Sequence, residues 1–260
     1  MYYNTSSDSR HQQNIIYSSG MKREYQNNYA AGRVQMYHKK SREQKAVRIT
    51  KTLSHFFGTN NIKKLKLLDV GASTGIIDNI LAKNFKEVIG TDIDKDAIKF
   101  ARKNFVKKNL KFKDEDAMKL TFKDNLFDVV ICTHVYEHVP SPKKLFNEIY
   151  RVLKPGGVCY LAAQNKLWPL EAHHNLPFLS YLPKNIADIY IKIFRNKKEY
   201  YEHPMNYWEL KEVLKKFKIN DYTPKILNEP KKFGYNNQSI SILSKIFKYF
   251  TPTLFWILEK

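Results

Sequence analysis

Between residues 65 and 163, short and almost uninterrupted apolar runs alternate with amphipathic stretches. In the stretches between these runs, apolar side chains recur at helical spacing, which predicts helices. Strands that are apolar on both faces and are separated by helices occur in parallel sheets covered on both sides. The sequence therefore predicts an α/β fold with a doubly wound, mostly parallel sheet. Its strands are expected at Leu65–Val70, Glu87–Thr91, Leu110–Lys113, Phe127–Thr133 and Val158–Ala163.

Local signals place several helix boundaries and divide the chain. Asp94 is a good N-cap, Ser141-Pro142 places a capping serine before a first-position proline, and Asn206-x-x-Glu209 resembles a capping box. The polar residues 1–30 are expected to form a mobile tail, and residues 31–260 to form one domain. Within it, residues 164–204 lack the strand–helix rhythm and are interpreted as an inserted lid or acceptor-binding segment. A strand over Lys218–Thr223, a helix over Ile240–Phe250 and a last strand over Thr253–Leu258 are expected near the end.

The chain is strongly basic, with 45 Lys and Arg against 25 Asp and Glu and a formal net charge of +20. The lysines are spread along the sequence, which favours a solvated basic surface, although an anionic partner such as nucleic acid or a membrane stays open. Cys132 and Cys159 are too few for a disulfide framework. The N-terminus has no apolar run typical of a signal peptide, and no stretch approaches the ~18 apolar residues of a spanning helix. A cytoplasmic protein is expected.

Two motifs follow neighbouring predicted strands and point to one ligand. Gly71, in Leu67–Gly75 (LLDVGASTG), lies where a strand turns into a helix, and glycine there lets a ligand approach the backbone. Asp92 ends the next strand 21 residues later, an offset at which a carboxylate reaches ribose hydroxyls in nucleotide-binding units. The Gly-x-x-x-Gly spacing argues against a dinucleotide. A structural turn and a solvated acid are the alternatives, but together the motifs indicate an adenosine-like ligand.

With DAMKLTFKDNLFDVV at 116–130 and RVLKPGG at 151–157, the chain resembles class I S-adenosylmethionine-dependent methyltransferases, particularly those of quinone biosynthesis. Four blocks match in order over about residues 65–163. The resemblance implies a seven-stranded Rossmann-like fold and S-adenosyl-L-methionine as cofactor. It assigns the methionine end to the first block, the ribose to Asp92 and the adenine to Asp116 and Ala117. The implied cofactor residues are Asp69, Gly71, Ala72, Gly75, Asp92, Ile93, Asp116, Ala117 and Thr133. Ser73 stands where the family often has glycine.

Histidines near the implied methyl position are candidates for catalysis. His134 and His138 are four residues apart, with Glu137 beside them, and His173 and His174 lie in the insert. A hydroxyl acceptor needs a base or a metal to help remove its proton. Some related methyltransferases bind a divalent ion through E-x-x-E-H here, but this chain has His134 in the first position. Packing without metal is therefore expected, with Glu137, His134 and His138 as alternative ligands. The catalytic candidates are His134, His138, His173 and His174.

The leading hypothesis is a methyltransferase that acts on a small-molecule, sugar or lipid-linked acceptor, most plausibly at oxygen. The insert segment WPLEAHHNLPFLSYLP at 168–183 supports it, because it resembles a part of methyltransferases of surface-glycan and lipid-linked glycan synthesis. An RNA methyltransferase that uses the basic surface is the alternative, and a cofactor-binding module without catalysis is a third. The C-terminal segment SISILSKIFKYFTPTLFWILEK also allows peripheral membrane contact, although a helix followed by a strand is preferred there.

Overall fold

The computed structural model describes residues 24–27, 29–31, 33–236, 239 and 244–260. Its centre is one seven-stranded sheet in the order β3-β2-β1-β4-β5-β7-β6. All strand pairs from β3 to β5 are parallel, and β7 runs antiparallel between β5 and β6. The predicted α/β fold is confirmed. The strands are β1 (Lys66–Val70), β2 (Glu87–Asp92), β3 (Leu110–Asp114), β4 (Phe127–Thr133), β5 (Leu153–Gln164), β6 (Lys218–Asp221) and β7 (Thr253–Glu259).

Helices cover both faces of this sheet. Residues Leu53, Leu81, Ile98 and Ile226 of α2, α3, α4 and α8 belong to the core on one face. Residues Leu145 and Leu210 of α5 and α7 belong to the core on the other. The α-helices are α1 (Glu24–Asn27), α2 (Lys39–Phe57), α3 (Ile76–Leu81), α4 (Lys95–Asn104), α5 (Pro142–Val152), α6 (Lys184–Arg195), α7 (Tyr207–Val213), α8 (Thr223–Asn228) and α9 (Ser244–Phe247).

The C-terminal end of the predicted tail packs against the domain. Residues 1–23 and 28 lie outside the described part of the chain, but Gln26 and Ala30 are buried in the structure. The Ala30 N–H donates to the carboxylate of Asp94 at 2.9 Å, and the Thr74 hydroxyl donates to the Met36 carbonyl at 2.8 Å. Long-range contacts therefore hold this segment against the body of the domain.

The C-terminal predictions are correct in part. The strand expected over Lys218–Thr223 stops at Asp221, because Thr223-Pro224 begins helix α8. Of the helix expected over Ile240–Phe250, residues 240–243 lie outside the described part, and the rest forms α9 and a 3-10 turn. Strand β7 pairs on both sides and buries Trp256, so this apolar run lies in the core and is not available to a membrane.

The insert contains one long helix, α6, which packs through Ala187 and Ile191. Leu176, Leu179 and Tyr200 complete a small core of its own beside the main one. In the described part of the chain, no helix combines the length and the apolar content that crossing a bilayer requires. The insert is therefore a small packed unit next to the carboxyl ends of the strands, where ligands bind in such folds.

Candidate functional site

A cavity of about 290 Å³ opens at the carboxyl ends of β1, β2 and β4. Six of the predicted cofactor residues line it, and so do three of the four predicted catalytic histidines. Asp69, Ala72 and Gly75 lie behind this wall, and His174 does not reach it. The predicted residues in the lining are Gly71, Asp92, Ile93, Asp116, Ala117, Thr133, His134, His138 and His173.

The turn after β1 forms the floor of this cavity. Gly71 has a φ of +91°, and a Cβ atom there would collide with the side chain of Val135. The amides of Gly71 and Ala72 both donate to the carbonyl of Thr91, at 2.8 and 2.9 Å. Glycine is therefore required at position 71 by both the backbone conformation and the close packing.

Asp92 organises the neighbouring loop while it faces the cavity. Its carboxylate accepts hydrogen bonds from the Ser73 amide at 2.8 Å and from the Asp94 amide at 2.9 Å. Burial raises the pKa of Asp92, although these amides oppose the shift. Asp94 caps α4 through the Ala97 amide, as predicted. The Asp92 carboxylate therefore already accepts two hydrogen bonds from the protein. A carboxylate has about four lone-pair positions, so it can accept further hydrogen bonds from a ligand.

Ser73 places a polar group at the cavity wall. Its side chain lines the cavity and is 8% exposed, and its hydroxyl oxygen has no hydrogen-bond partner among the described residues. Buried hydroxyl groups are normally paired, so this one is suited to a ligand. The serine that departs from the usual family pattern thus adds a binding group to the turn.

Behind the turn, Asp69 and Asp78 form a buried carboxyl pair. Burial and the neighbouring Asp78 raise the pKa of Asp69 well above its usual value, and burial raises the pKa of Asp78 to about 7. Two adjacent carboxylates cannot both ionise in a dry site, so one of them keeps its proton. Asp69 is thus placed to support the turn and does not itself line the cavity.

The acidic end of the cavity continues beyond Asp92 into the loop after β3. Glu115 accepts hydrogen bonds from the Thr121 amide at 3.0 Å and from the Thr121 hydroxyl at 2.5 Å. Asp116 accepts from the Met118 amide at 3.0 Å, and Ala117 lines the wall beside it. These bonds hold the loop, which presents both carboxylates and the Ala117 backbone at one end of the cavity.

The cavity also has cationic lining residues, and sequence reasoning missed them. Arg33, Arg42 and Lys45 line it, and they precede or belong to α2. Arg42 lies in the field of Asp69, Asp78 and Asp92, but burial outweighs them and lowers its pKa. In the sequence these residues belong only to a basic amphipathic segment, and such a pattern does not predict which surface the segment packs against.

Among the histidines, His134 has the most direct position. It has a φ of +55°, its amide donates to the Ala162 carbonyl, and its Nδ1 lies 3.4 Å from Glu137 Oε1. Burial lowers the pKa of His134, although Glu137 opposes the shift. Burial opposes the ionisation of Glu137, but His134, His138 and His173 together lower its pKa. The imidazole is therefore neutral near pH 7, with an ionised carboxylate beside it.

His138 and His173 form a second pair deeper in the wall. Their Nε2 atoms are 3.2 Å apart, and His138 Nε2 is also 3.2 Å from the Tyr29 hydroxyl. His173 Nδ1 lies 3.0 Å from Glu171 Oε1. Burial lowers the pKa of His138 to about 4, whereas for His173 the nearby carboxylates outweigh burial and raise the pKa.

The same residues include a potential metal-ligand group. Donor atoms of Glu137, His138 and His173 all lie within 4.8 Å of one another. His134, a metal candidate from the sequence, is not in this group and contacts Glu137 instead. A divalent ion bound by both Nε2 atoms would have to replace the contact between them.

His174 does not line the cavity and contacts Glu202 instead. Its Nε2 lies 3.0 Å from Glu202 Oε2, and Glu202 Oε1 lies 3.3 Å from Arg33 Nη2. Burial opposes the ionisation of Glu202, but the surrounding histidines outweigh it and lower its pKa strongly. His174 is therefore a link between the insert and the N-terminal segment and does not face the cavity.

A second cavity, of about 310 Å³, adjoins the first. Lys45, Thr133 and His134 line both cavities, so the two meet at the end of β4. The second cavity is formed mainly by apolar side chains of α2, β5, α8 and β7. No sequence feature predicted it, because these elements are far apart along the chain.

Comparison with known proteins identifies the central segment. Residues 68–161 match the family described as methyltransferase domain. The ubiquinone biosynthesis O-methyltransferase of Idiomarina loihiensis is 30% identical over 132 residues, which cover 48% of this chain and 54% of that protein. The enzyme of the same name from Psychrobacter arcticus is 33% identical over 107 residues, covering 39% and 41%. The chain thus spans about half the length of the curated relatives it matches.

Solved structures support the fold. One is a complex between the Haloferax volcanii Trm112 methyltransferase activator and a methyltransferase, which is 17% identical with a TM-score of 0.57. The alignment covers 90% of this chain and 96% of that one. At this identity the likeness concerns the fold alone, and it extends beyond the segment that the family comparison matches.

Proposed function

We propose that this chain is a class I S-adenosylmethionine-dependent methyltransferase, as the match of residues 68–161 to a methyltransferase domain supports, and that it transfers a methyl group from S-adenosylmethionine to an oxygen atom of a small-molecule or lipid-linked acceptor. The observation that carries the proposal is the convergence of Gly71, Asp92, Asp116 and Thr133 on one cavity at the carboxyl ends of the strands. Transfer to oxygen is supported by the names of the relatives, which are O-methyltransferases.

The residues that line the cavity fit the proposed cofactor. The carboxylate of Asp92 would accept hydrogen bonds from the ribose hydroxyls, and Asp116 and the Ala117 backbone would bind the adenine. The orphaned Ser73 hydroxyl lies at the same cavity and would bind a polar group of the chain that carries the sulfonium. Arg42 provides a cation for the carboxylate at the methionine end.

When bound, the cofactor supplies an electrophilic methyl group with a very good leaving group. The protein has to align the acceptor oxygen with that methyl group, and alignment can contribute ~7–11 kcal/mol. His134 is proposed as the general base that takes the proton from the acceptor hydroxyl. Glu137 beside Nδ1 would keep the proton on that nitrogen, which leaves Nε2 as the acceptor.

His138 and His173 are proposed to position His134 through Glu137 and not to bind a metal. Their Nε2 atoms already contact each other at 3.2 Å, and an ion bound by both of these nitrogens would have to replace that contact. Activity is therefore expected to survive removal of divalent ions by a chelator. A rate that disappears with chelator and returns on addition of one divalent ion would contradict this assignment.

Peripheral contact with a membrane is proposed for the insert, since the C-terminal run is buried. Helix α6 leaves apolar side chains exposed to solvent, and exposed basic residues lie at and just after its C-terminal end. The exposed apolar residues are Ile186, Ile189, Ile193 and Phe194, and the exposed basic residues are Lys192, Arg195, Lys197 and Lys198. A lipid-linked acceptor would then be presented beside the cavity.

The test is to incubate the purified protein and a cell extract with methyl-labelled cofactor and to sort the label by class. We expect label in the small-molecule or lipid fraction, and none with Asp92→Ala. Label found only in RNA would contradict the acceptor class and favour the basic surface as an RNA-binding site. Cofactor binding by calorimetry without any transfer would identify a non-catalytic binding module.

A further inference from the structure

We propose that the second cavity binds the methyl acceptor and that this acceptor is an apolar molecule carrying an anionic group, which Lys45 and Arg48 bind. The inference rests on the proposed function, because it assigns the acceptor of the same reaction. It goes further in naming the chemistry that the acceptor must have. The location follows from Thr133 and His134, which line both cavities and so mark the point where two ligands would meet.

The walls of the second cavity select an apolar ligand. Ile49, Tyr160, Ala162 and Ile226 are all less than 6% exposed, and Phe255 closes one side. Burial raises the pKa of Tyr235 to about 12, so its phenol is neutral at physiological pH. A volume of about 310 Å³ lies at the lower end of the range for small-molecule sites, ~300–1,000 Å³.

The charge of the second cavity is entirely positive. Lys45 and Arg48 line it, and no carboxylate does among the described residues of its lining. The Arg48 guanidinium stacks over the Tyr235 ring at 4.2 Å and donates to the Gly234 carbonyl at 3.3 Å. These contacts hold the guanidinium at the cavity wall but do not neutralise its charge.

A neutral apolar ligand would be disfavoured in this environment. It would displace water from two cations and give no negative charge in return, which is costly in a low-dielectric site. Burial, together with Arg42 and Arg48, outweighs the opposing effect of Glu137 and lowers the pKa of Lys45 to about 8, so the charged form of Lys45 is disfavoured before any ligand enters. An anionic group on the ligand removes this penalty, and a carboxylate can pair with guanidinium through two parallel hydrogen bonds.

The test compares two probes of nearly the same shape, 2-naphthoate and its uncharged analogue 2-naphthamide. Affinities are measured by calorimetry with S-adenosylhomocysteine present. We expect wild type to bind naphthoate at least tenfold more tightly than naphthamide, and Arg48→Met and Lys45→Met to lose this preference. Lys51→Met removes an exposed cation from the same helix and should keep it. Using 2-naphthyl phosphate as a third probe distinguishes a carboxylate from a phosphate.

The location is checked by isoleucine methyl labelling and NMR. Ile49 and Ile226 line the second cavity and Ile93 lines the first, so naphthoate should shift the first two signals and not the third. Equal affinity for the two naphthalene probes, preference that survives both substitutions, or shifts at Ile93 alone would overturn the inference. Binding of S-adenosylhomocysteine is measured separately on the same samples. Its absence would contradict the proposed function, whereas normal binding without charge preference would overturn only the acceptor assignment.

Discussion

At the scale of single residues, the proposed reaction depends on the protonation state of His134. Burial favours the neutral imidazole, and Glu137 Oε1 lies 3.4 Å from Nδ1. A base of this kind is active when neutral, so its activity is lost as pH falls through its pKa. Because that pKa lies below the usual ~6.5, the enzyme should be fully active at neutral pH and decline only under acidic conditions.

Substituting the proposed base tests this assignment. We expect His134→Gln to lower kcat by ~10²–10⁴-fold with cofactor affinity unchanged, since general-base catalysis contributes about that much. Glu137→Gln removes a charge that raises the pKa of His134, so the acidic limb of the kcat–pH profile should move to lower pH as the maximum falls. The exposed His55 is the control, and His55→Gln should leave the profile unchanged. A His134→Gln enzyme with wild-type kcat and an unaltered acidic limb would exclude this histidine as the base.

At the scale of elements, the turn between β1 and α3 requires a glycine for two separable reasons. Gly71 and Gly156 both have positive φ, +91° and +75°. A Cβ at Gly71 would collide with Val135, whereas a Cβ at Gly156 would have nothing within 4 Å. Gly156→Ala therefore reports the cost of the backbone conformation alone, and Gly71→Ala reports that cost together with the collision.

We expect Gly156→Ala to cost ~1–2 kcal/mol of unfolding free energy and to leave cofactor binding intact. Gly71→Ala should lower the thermal midpoint further and weaken cofactor binding, and adding Val135→Ala should restore part of the midpoint. Thermal unfolding and calorimetry measure the two effects. Equal destabilisation by the two alanine substitutions would mean that the packing against Val135 contributes nothing.

The elements themselves were largely predictable because their signals are local. The N-cap at Asp94 and the capping box at Asn206 and Glu209 occur as expected, and the first strands end within a residue of their predicted ends. The site was predictable where it follows those strand ends. The cationic half was not, because Arg33, Arg42 and Lys45 reach the cavity through contacts such as Ala30–Asp94 that join distant segments.

The two neighbouring histidines of the insert show the same limit of sequence-based prediction. The sequence placed His173 and His174 together as equivalent candidates, but the structure separates them, one on Glu171 in the cavity wall and one on Glu202 outside it. Neighbouring residues in an irregular segment face in different directions, and no periodicity predicts which one faces a ligand. Only the packing of the insert against the N-terminal segment determines this.

At the scale of the whole molecule, we interpret the net charge of +20 together with the position of the exposed apolar side chains. On α6, Ile189 is 60% exposed and Ile193 is 69% exposed, near exposed Lys192 and Arg195. Basic residues near an anionic membrane contribute ~1 kcal/mol each, and inserted apolar side chains add to that attraction. A basic protein with such a surface on its insert should therefore favour anionic lipid over nucleic acid.

Sedimentation with vesicles tests this expectation. The protein should bind vesicles that contain phosphatidylglycerol and not vesicles of phosphatidylcholine alone, and added salt should weaken the binding because it screens the charges. Replacing Ile189 and Ile193 together by serine should abolish most of it. Val106 is 87% exposed and lies before β3, at the amino-terminal edge of the strands, so Val106→Ser should bind like wild type. Equal vesicle binding by the α6 variant and wild type would contradict a role of α6 in binding anionic lipid. The binding of the protein to RNA should then be measured.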